Sequence, residues 1–172
     1  ADKIRAAHAA GQTAFGESYV NEATAKMDEL AELPLEWHFI GRIQGNKTRQ
    51  IAARFACVHG LDKLAHAQRL SRQRPPAMPP LKAFIQINLS AEPSKSGVAA
   101  DAAAALLRGC LGLPNIRIVG LMTLPAPASD EASQRRPFRG LRRLRDELAS
   151  ADFPLTELSM GMSADLEAAI SE

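Results

Sequence analysis

Short runs in which apolar and polar residues alternate take turns with longer stretches whose apolar residues recur at helical spacing, from one end of the chain to the other. A period of two marks strands and a period near 3.6 marks helices, so the pattern is an α/β signature. It predicts a first helix over residues 2–10, capped by Asp2 and stopped by Gly11. A short extended segment at 13–16 leads to a helix over 19–31, and a strand at 36–40 leads through a polar loop at 41–46 to a helix ending near Phe55. A strand at 57–59 precedes a helix over 62–72, and residues 74–80, with four prolines, read as an extended connector. Next come a strand at 83–89, a loop at 90–97 and an alanine-rich helix over 99–111. A strand at 116–122, a Pro-rich loop, a helix over 133–150, a strand at 155–159 and a helix after Ser163 complete the pattern.

Helices between successive strands force parallel pairing, because a parallel return needs a crossover of about a dozen residues or more. Either a doubly wound sheet or a (β/α)8 barrel satisfies that rule. In the strand at 83–89, Ile85, Ile87 and Leu89 point to one side and Phe84, Gln86 and Asn88 to the other. Two amides on a buried face suit a barrel lumen, and His38, opposite Trp37 and Phe39, gives a similar polar position. Polar residues also gather after the strands, at Glu17, Ser18, Gln44, Asn46, His59, Asn88, Ser90, Thr123 and Ser163. Barrel enzymes carry their sites at that carboxyl end. A complete barrel takes about 250 residues and eight strands, whereas this chain of 172 residues offers six and a marginal seventh. The expected fold is therefore a (β/α)8 TIM-type barrel, incomplete in this chain. The chain opens at Ala1 without methionine and stops within a helical stretch at Glu172, so we expect it to be a piece of a longer one.

Composition narrows the picture. With 46% hydrophobic and 23% charged residues the chain is neither disordered nor collagen-like, and a single domain over residues 1–172 is expected. Its 21 basic side chains outnumber the acidic ones by two and are spread along the sequence, which argues against a nucleic-acid partner. The two cysteines, Cys57 and Cys110, lack metal-type spacing, and no leader or long apolar span is evident. A reducing, cytoplasmic location away from membranes is the expectation.

The richest candidate chemistry lies at 158–165, where a strand end and Gly161 precede Ser163 at a helix start. Free amides and a hydroxyl there suit a phosphate, although Ser163 could equally cap its own helix, and Asp165 would compete with an anion. The loop at 41–47 resembles a phosphate loop in composition but lacks the Walker spacing. Gln44 and Asn46 there could bond a ligand, or Asn46 could cap the next helix. Among the four histidines no pair has metal spacing; His8 and His66 read as helix-surface residues and His38 as a satisfied core residue or a site residue. The arginines at 135, 136, 139, 142, 143 and 145 form a solvated face opposite a stripe of Phe138, Leu141, Leu144 and Leu148.

In the segments at 15–22 and 37–47, and again in 86–90, 94–97, 120–125 and 158–165, the chain resembles the pyridoxal phosphate homeostasis protein family. The likeness covers essentially the whole chain, in order. It implies a barrel of the alanine racemase N-terminal type that binds pyridoxal 5'-phosphate and serves vitamin B6 homeostasis, with PLP-dependent apoenzymes as clients. By this match Ser163 contacts the cofactor phosphate and Met122 lines the pocket; Gly161, Met162, His38 and Asn46 complete the candidate cofactor-binding set. The family's cofactor-holding lysine would lie upstream of Ala1, and an Arg-Ile-Gly-Thr type strand downstream of Glu172. Ser18 stands where the family usually shows asparagine. Neither Lys47 nor Lys95, both on loops at the carboxyl face, matches the lysine position. An alanine racemase-like enzyme and a scaffold that no longer binds cofactor are the alternatives.

Overall fold

The computed structural model describes residues 1–89 and 96–172. Ser90, Ser94 and Lys95, singled out above, lie outside the described residues. The elements in chain order are α1 (Asp2–Ala9), β1 (Ala14–Glu17), α2 (Val20–Glu29), β2 (Glu36–Phe39), α3 (Thr48–Arg54), β3 (Cys57–Leu61), α4 (Leu64–Gln73) and β4 (Leu81–Asn88). Then follow β5 (Val98–Ala99), α5 (Ala103–Cys110), β6 (Ile116–Met122), α6 (Glu131–Leu148), β7 (Glu157–Ser159) and α7 (Leu166–Ile170). All the strand pairs are parallel, in the order β1-β2-β3-β4-β6-β7, with the short β5 added to β4.

The two faces of this arc differ. Trp37, Phe39, Val58, Ile85, Ile87, Ile118 and Leu121 join α2, α3, α4 and α5 through Met27, Ile51, Leu70 and Leu107 in one core. The opposite face carries a separate cluster of Cys57, Phe84, Val119 and Met122, to which none of the helices contributes. Helices thus cover only the convex side, as in a partial barrel and unlike a doubly wound sheet. An extra residue in β6, between the pairs Ala83–Ile118 and Phe84–Gly120, puts Val119 as well as Met122 on the concave side.

Local chemistry holds the crossovers. The buried Arg74, at the start of the Pro-rich connector, donates to the carbonyls of Ala52 (2.8 Å), Phe55 (2.6 Å) and Pro79 (2.9 Å). It thereby satisfies the end of α3 and fixes the entry to β4. Asp130 caps α6 by accepting from the Ser133 amide at 2.9 Å. Phe138 and Leu141 are fully buried, as the stripe requires. The arginine face is less free than expected: Arg135 (2.9 Å), Arg139 (2.7 Å) and Arg142 (3.1 Å) converge on the Glu172 carboxylate. Hydrogen bonds from Arg139, ahead of those from Arg135 and Arg142, bring that carboxyl down to about 2 despite desolvation.

Several boundaries differ from the sequence pattern, and Asp2 lies inside α1, whose N-cap position is Ala1, so it does not cap that helix. The helix expected from residue 99 begins at Ala103, because Val98 and Ala99 pair with Ile87 and Asn88 and a 3-10 turn intervenes. Pairing in β7 begins only at Glu157, since Leu155 adopts a left-handed φ of 44°. The last helix starts at Leu166 rather than just after Ser163.

β6 and β7 approach so closely that a Cβ at Gly120 would lie 1.8 Å from the Glu157 carbonyl oxygen. Gly120→Ala must separate the two strands, and a loss of about 2 kcal/mol is expected in a denaturant titration. An unchanged midpoint would mean that this edge pairing does not contribute to the fold.

Candidate functional site

Period two arranges the concave face in layers, as in barrels whose strands tilt together. At the amino end, Glu36 of β2 pairs with Lys82 of β4 at 3.3 Å. In the next row His38 and Cys57 are register partners, Cys57 in turn faces Lys82 of β4, and His59 lies two residues further along β3. At the carboxyl end, Gln86, Met122 and Ser159 occupy one row of β4, β6 and β7.

A polar chain crosses these layers. His38 Nδ1 lies 2.9 Å from His59 Nε2, and His59 Nδ1 lies 2.6 Å from Ser159 Oγ. His38 Nε2 faces Glu36 Oε1 at 3.3 Å. The His59 ring also stacks on Phe84, with centroids 4.5 Å apart. Burial first, and the neighbouring His38 second, push the His59 pKa down to about 4. Burial, reinforced by Glu157, pushes the Cys57 thiol up to about 12. Burial also works against ionisation of Glu36, but Lys82 and then His38 outweigh it and hold that carboxyl below its ordinary value.

The mouth ends in the turn after β7. Gly161 has φ 88°, and a Cβ there would lie 2.6 Å from the Ala169 Cβ, so only glycine fits without displacement. The Met162 amide donates to Asp165 Oδ1 at 2.6 Å, and the Asp165 amide donates back to the Met162 carbonyl at 3.1 Å. Asp165, not Ser163, is therefore the N-cap position of α7, and its side chain makes no bond to the helix amides. Expecting Ser163 to cap its own helix was an error of register: the chain makes one more turn first. Ser163 is exposed and lines a groove of about 510 Å3 with Glu131, Gln134 and Leu166.

The other expected residues fall in different places. Met122 is buried in the concave face and Met162 is exposed beside Ser163. Asn46 is exposed in the turn before α3 and makes no side-chain hydrogen bond among the described residues. It does not cap that helix, whose N-cap position is Lys47; Thr48 Oγ1 instead donates to the Gly45 carbonyl at 3.0 Å. His38 is hydrogen-bonded to His59 through Nδ1 only, and His66 is half-buried near Asp62 rather than on an open surface. The pairing of His59 with Ser159, 100 residues apart, had no signal beyond the placement of each near a strand end.

A one-sided arc of parallel strands with a polar concave face and a phosphate-like turn defines a class of barrel. The alanine racemase, N-terminal domain family matches residues 1–172. The pyridoxal phosphate homeostasis protein of Pseudomonas aeruginosa is 53% identical over 169 residues, which are 98% of this chain and 72% of that protein. That of Vibrio alginolyticus is 47% identical over 174 residues, 98% of this chain and 74% of that protein. The structure of PipY from Synechococcus elongatus with PLP bound matches with a TM-score of 0.90 and 36% identity, over 99% of this chain and 80% of that one. The chain belongs to the alanine racemase N-terminal domain family and, within it, to the pyridoxal phosphate homeostasis proteins. Among the described residues no helix is long and apolar enough to cross a membrane.

His59 faces His38 from β2, Phe84 from β4, Ser159 from β7 and Cys57 on its own strand. Its folded pKa of about 4 lies below the ordinary 6.5, so between these values the unfolded chain takes up the proton first. The stabilisation is complete above about pH 6.5 and falls away towards pH 4, by on the order of 3 kcal/mol in all. Denaturant titrations in metal-free buffer should show this slope, reduced in His59→Gln. Identical slopes in the two proteins would refute the assignment.

Proposed function

We propose that this chain binds pyridoxal 5'-phosphate at the carboxyl mouth of the arc and acts in vitamin B6 homeostasis as a non-catalytic carrier. The observation that carries this reading is the likeness to PipY, solved with PLP bound, over 99% of the chain. The relatives' shared name points to homeostasis rather than turnover. The proposed setting is the cytoplasm, and PLP-dependent apoenzymes are the proposed recipients.

The residues present fit the phosphate end of the group. The Met162 amide already donates to a carboxylate oxygen, that of Asp165 at 2.6 Å, which stands where a phosphate oxygen would accept. In the proposed site the Met162 amide and the Ser163 hydroxyl hold the phosphate, and Gly161 permits the turn. Met122 would line the pocket and help to exclude water, while His38 would form part of the polar wall. Asn46 is proposed as a polar contact from the loop before α3. When bound, pyridoxal phosphate supplies an aldehyde and an electron-withdrawing pyridine ring.

Among the described residues the lysines do not meet this mouth in a position to carry the group. Lys82 is paired with Glu36 at the amino end, Lys47 donates to Asn21 at 3.0 Å, and Lys26 pairs with Glu17. Lys3 lies in α1, and Lys63, the N-cap residue of α4 just beyond β3, does not match the lysine position of the family. Binding by the described residues is therefore proposed to be reversible and anchored by phosphate.

Equilibrium dialysis of pyridoxal phosphate tests the site. Ser163→Ala should weaken binding about tenfold, the loss of one hydrogen bond to a charged group. Asp165→Asn should strengthen it several-fold by removing a competing charge. Equal affinities in all three proteins would overturn the assignment of the turn. Borohydride reduction of the mixture, followed by peptide mapping, should leave Lys47 and Lys82 unmodified; a stoichiometric adduct on either would show the chemistry to be misplaced.

A further inference from the structure

The concave face carries a second constellation, which shares His38 with the proposed cofactor wall but adds Cys57 and His59, for which cofactor binding gives no role. One donor atom each from His38, Cys57 and His59 lies within 4.8 Å of the others, and no described carboxylate belongs to the cluster. The two imidazoles meet through their inner nitrogens, His38 Nδ1 and His59 Nε2, at 2.9 Å. Their outer nitrogens point at oxygen: His38 Nε2 at Glu36 Oε1 (3.3 Å) and His59 Nδ1 at Ser159 Oγ (2.6 Å). Metal-binding histidines are held in this way, one nitrogen on the ion and the other on an oxygen acceptor.

We propose that His38, Cys57 and His59 form a binding site for a thiophilic divalent ion of the zinc type. The inference does not rest on the cofactor reading.

The proton order of the chain can switch to accept an ion. With both rings neutral, one direction satisfies the chain. Ser159 donates to His59 Nδ1, His59 Nε2–H donates to His38 Nδ1, and His38 Nε2–H points at Glu36. When the ion enters, the His59 proton moves from Nε2 to Nδ1 and Ser159 turns from donor to acceptor, as a hydroxyl can. Both inner lone pairs then face the metal. The Cys57 thiol releases its proton to solvent as the sulfur–metal bond forms, and nothing is oxidised or reduced.

Two neutral imidazoles and one thiolate are a zinc donor set that leaves the fourth tetrahedral position for water or a ligand. Metal–nitrogen bonds of about 2.0 Å and metal–sulfur bonds of about 2.3 Å place the donors roughly 3.3–3.7 Å apart. Side-chain movements of up to about an ångström, which open the 2.9 Å imidazole pair slightly and draw in the more distant donors, bring the set to that spacing. His38 Nε2 is also a buried polar atom without a hydrogen-bond partner among the described residues, and the charge of a bound ion would strengthen its hold on Glu36.

The test uses the chain stripped with a chelator, without pyridoxal phosphate, and the metals alone as probes. After zinc loading and desalting, one zinc per chain is expected. Cobalt should give the thiolate-to-metal charge-transfer band and the visible bands of a tetrahedral site. Cys57→Ser and His59→Gln should each weaken zinc binding by about 100-fold or more, and Ser159→Ala, which removes only an outer partner, by about tenfold. Cys110→Ser should change nothing, because that thiol lies in the convex core. Should Cys57→Ser fail to fold, His38→Gln replaces it and should weaken zinc binding by about 100-fold or more. Less than a tenth of an equivalent retained, a cobalt spectrum without the thiolate band, or equal loss in Cys110→Ser would overturn the proposal, as would unchanged zinc binding in His38→Gln.

Discussion

Parallel pairing is the constraint from which the molecule follows. A strand that must run in the same direction as its predecessor can only return over a crossover, and in this chain α2, α3, α4, α5 and α6 each belong to such a return. Two consequences are forced. All the helices of the returns lie on one side and seal the convex core, and all the strand carboxyl ends reach one rim. The rim gathers Ser18, Gln44, Gln86, Thr123 and the turn at 160–165 from segments far apart in sequence.

The two faces then diverge chemically because they meet different neighbours. Convex residues such as Phe39, Ile51, Ile85 and Leu121 are at most 2% exposed and need no polar partner. Concave residues have only other strands to contact, so polar groups there must satisfy one another. Glu36 with Lys82, His38 with His59, His59 with Ser159 and Gln86 with the Ser96 carbonyl do this layer by layer. A carboxylate, two imidazoles and a hydroxyl in one line supply both a rigid wall and titratable atoms beneath the mouth.

Much of this was legible in the sequence because it depends on local period. The alternation of Phe84 and Gln86 with Ile85 and Ile87 assigns both faces of β4 correctly, and the Phe138 and Leu141 stripe orients α6. Features set by distant partners were not legible. No local signal joins His59 to Ser159, or Arg135, Arg139 and Arg142 to Glu172. The turn before α7 illustrates a different failure: a serine before a helical stretch is a good cap, yet a glycine at positive φ and an aspartate two residues beyond the serine shift the helix start. Asn46 likewise loses its capping role because Thr48 folds back onto Gly45. The resemblance in the motifs at 37–47 and 158–165 carried the family where geometry could not, and family membership over residues 1–172 agrees with it.

The central claim is that the carboxyl rim, ending in the turn after β7, is where this chain meets pyridoxal phosphate. Amide-resolved proton–nitrogen NMR spectra during titration with the compound test it most directly. The account predicts that the amides of Met162, Ser163 and Ala164 move most, with Met122 and Gly161 next and the helix face of Arg136 and Arg143 unmoved. Shifts confined to the α6 arginines, or none at saturating concentration, would contradict it.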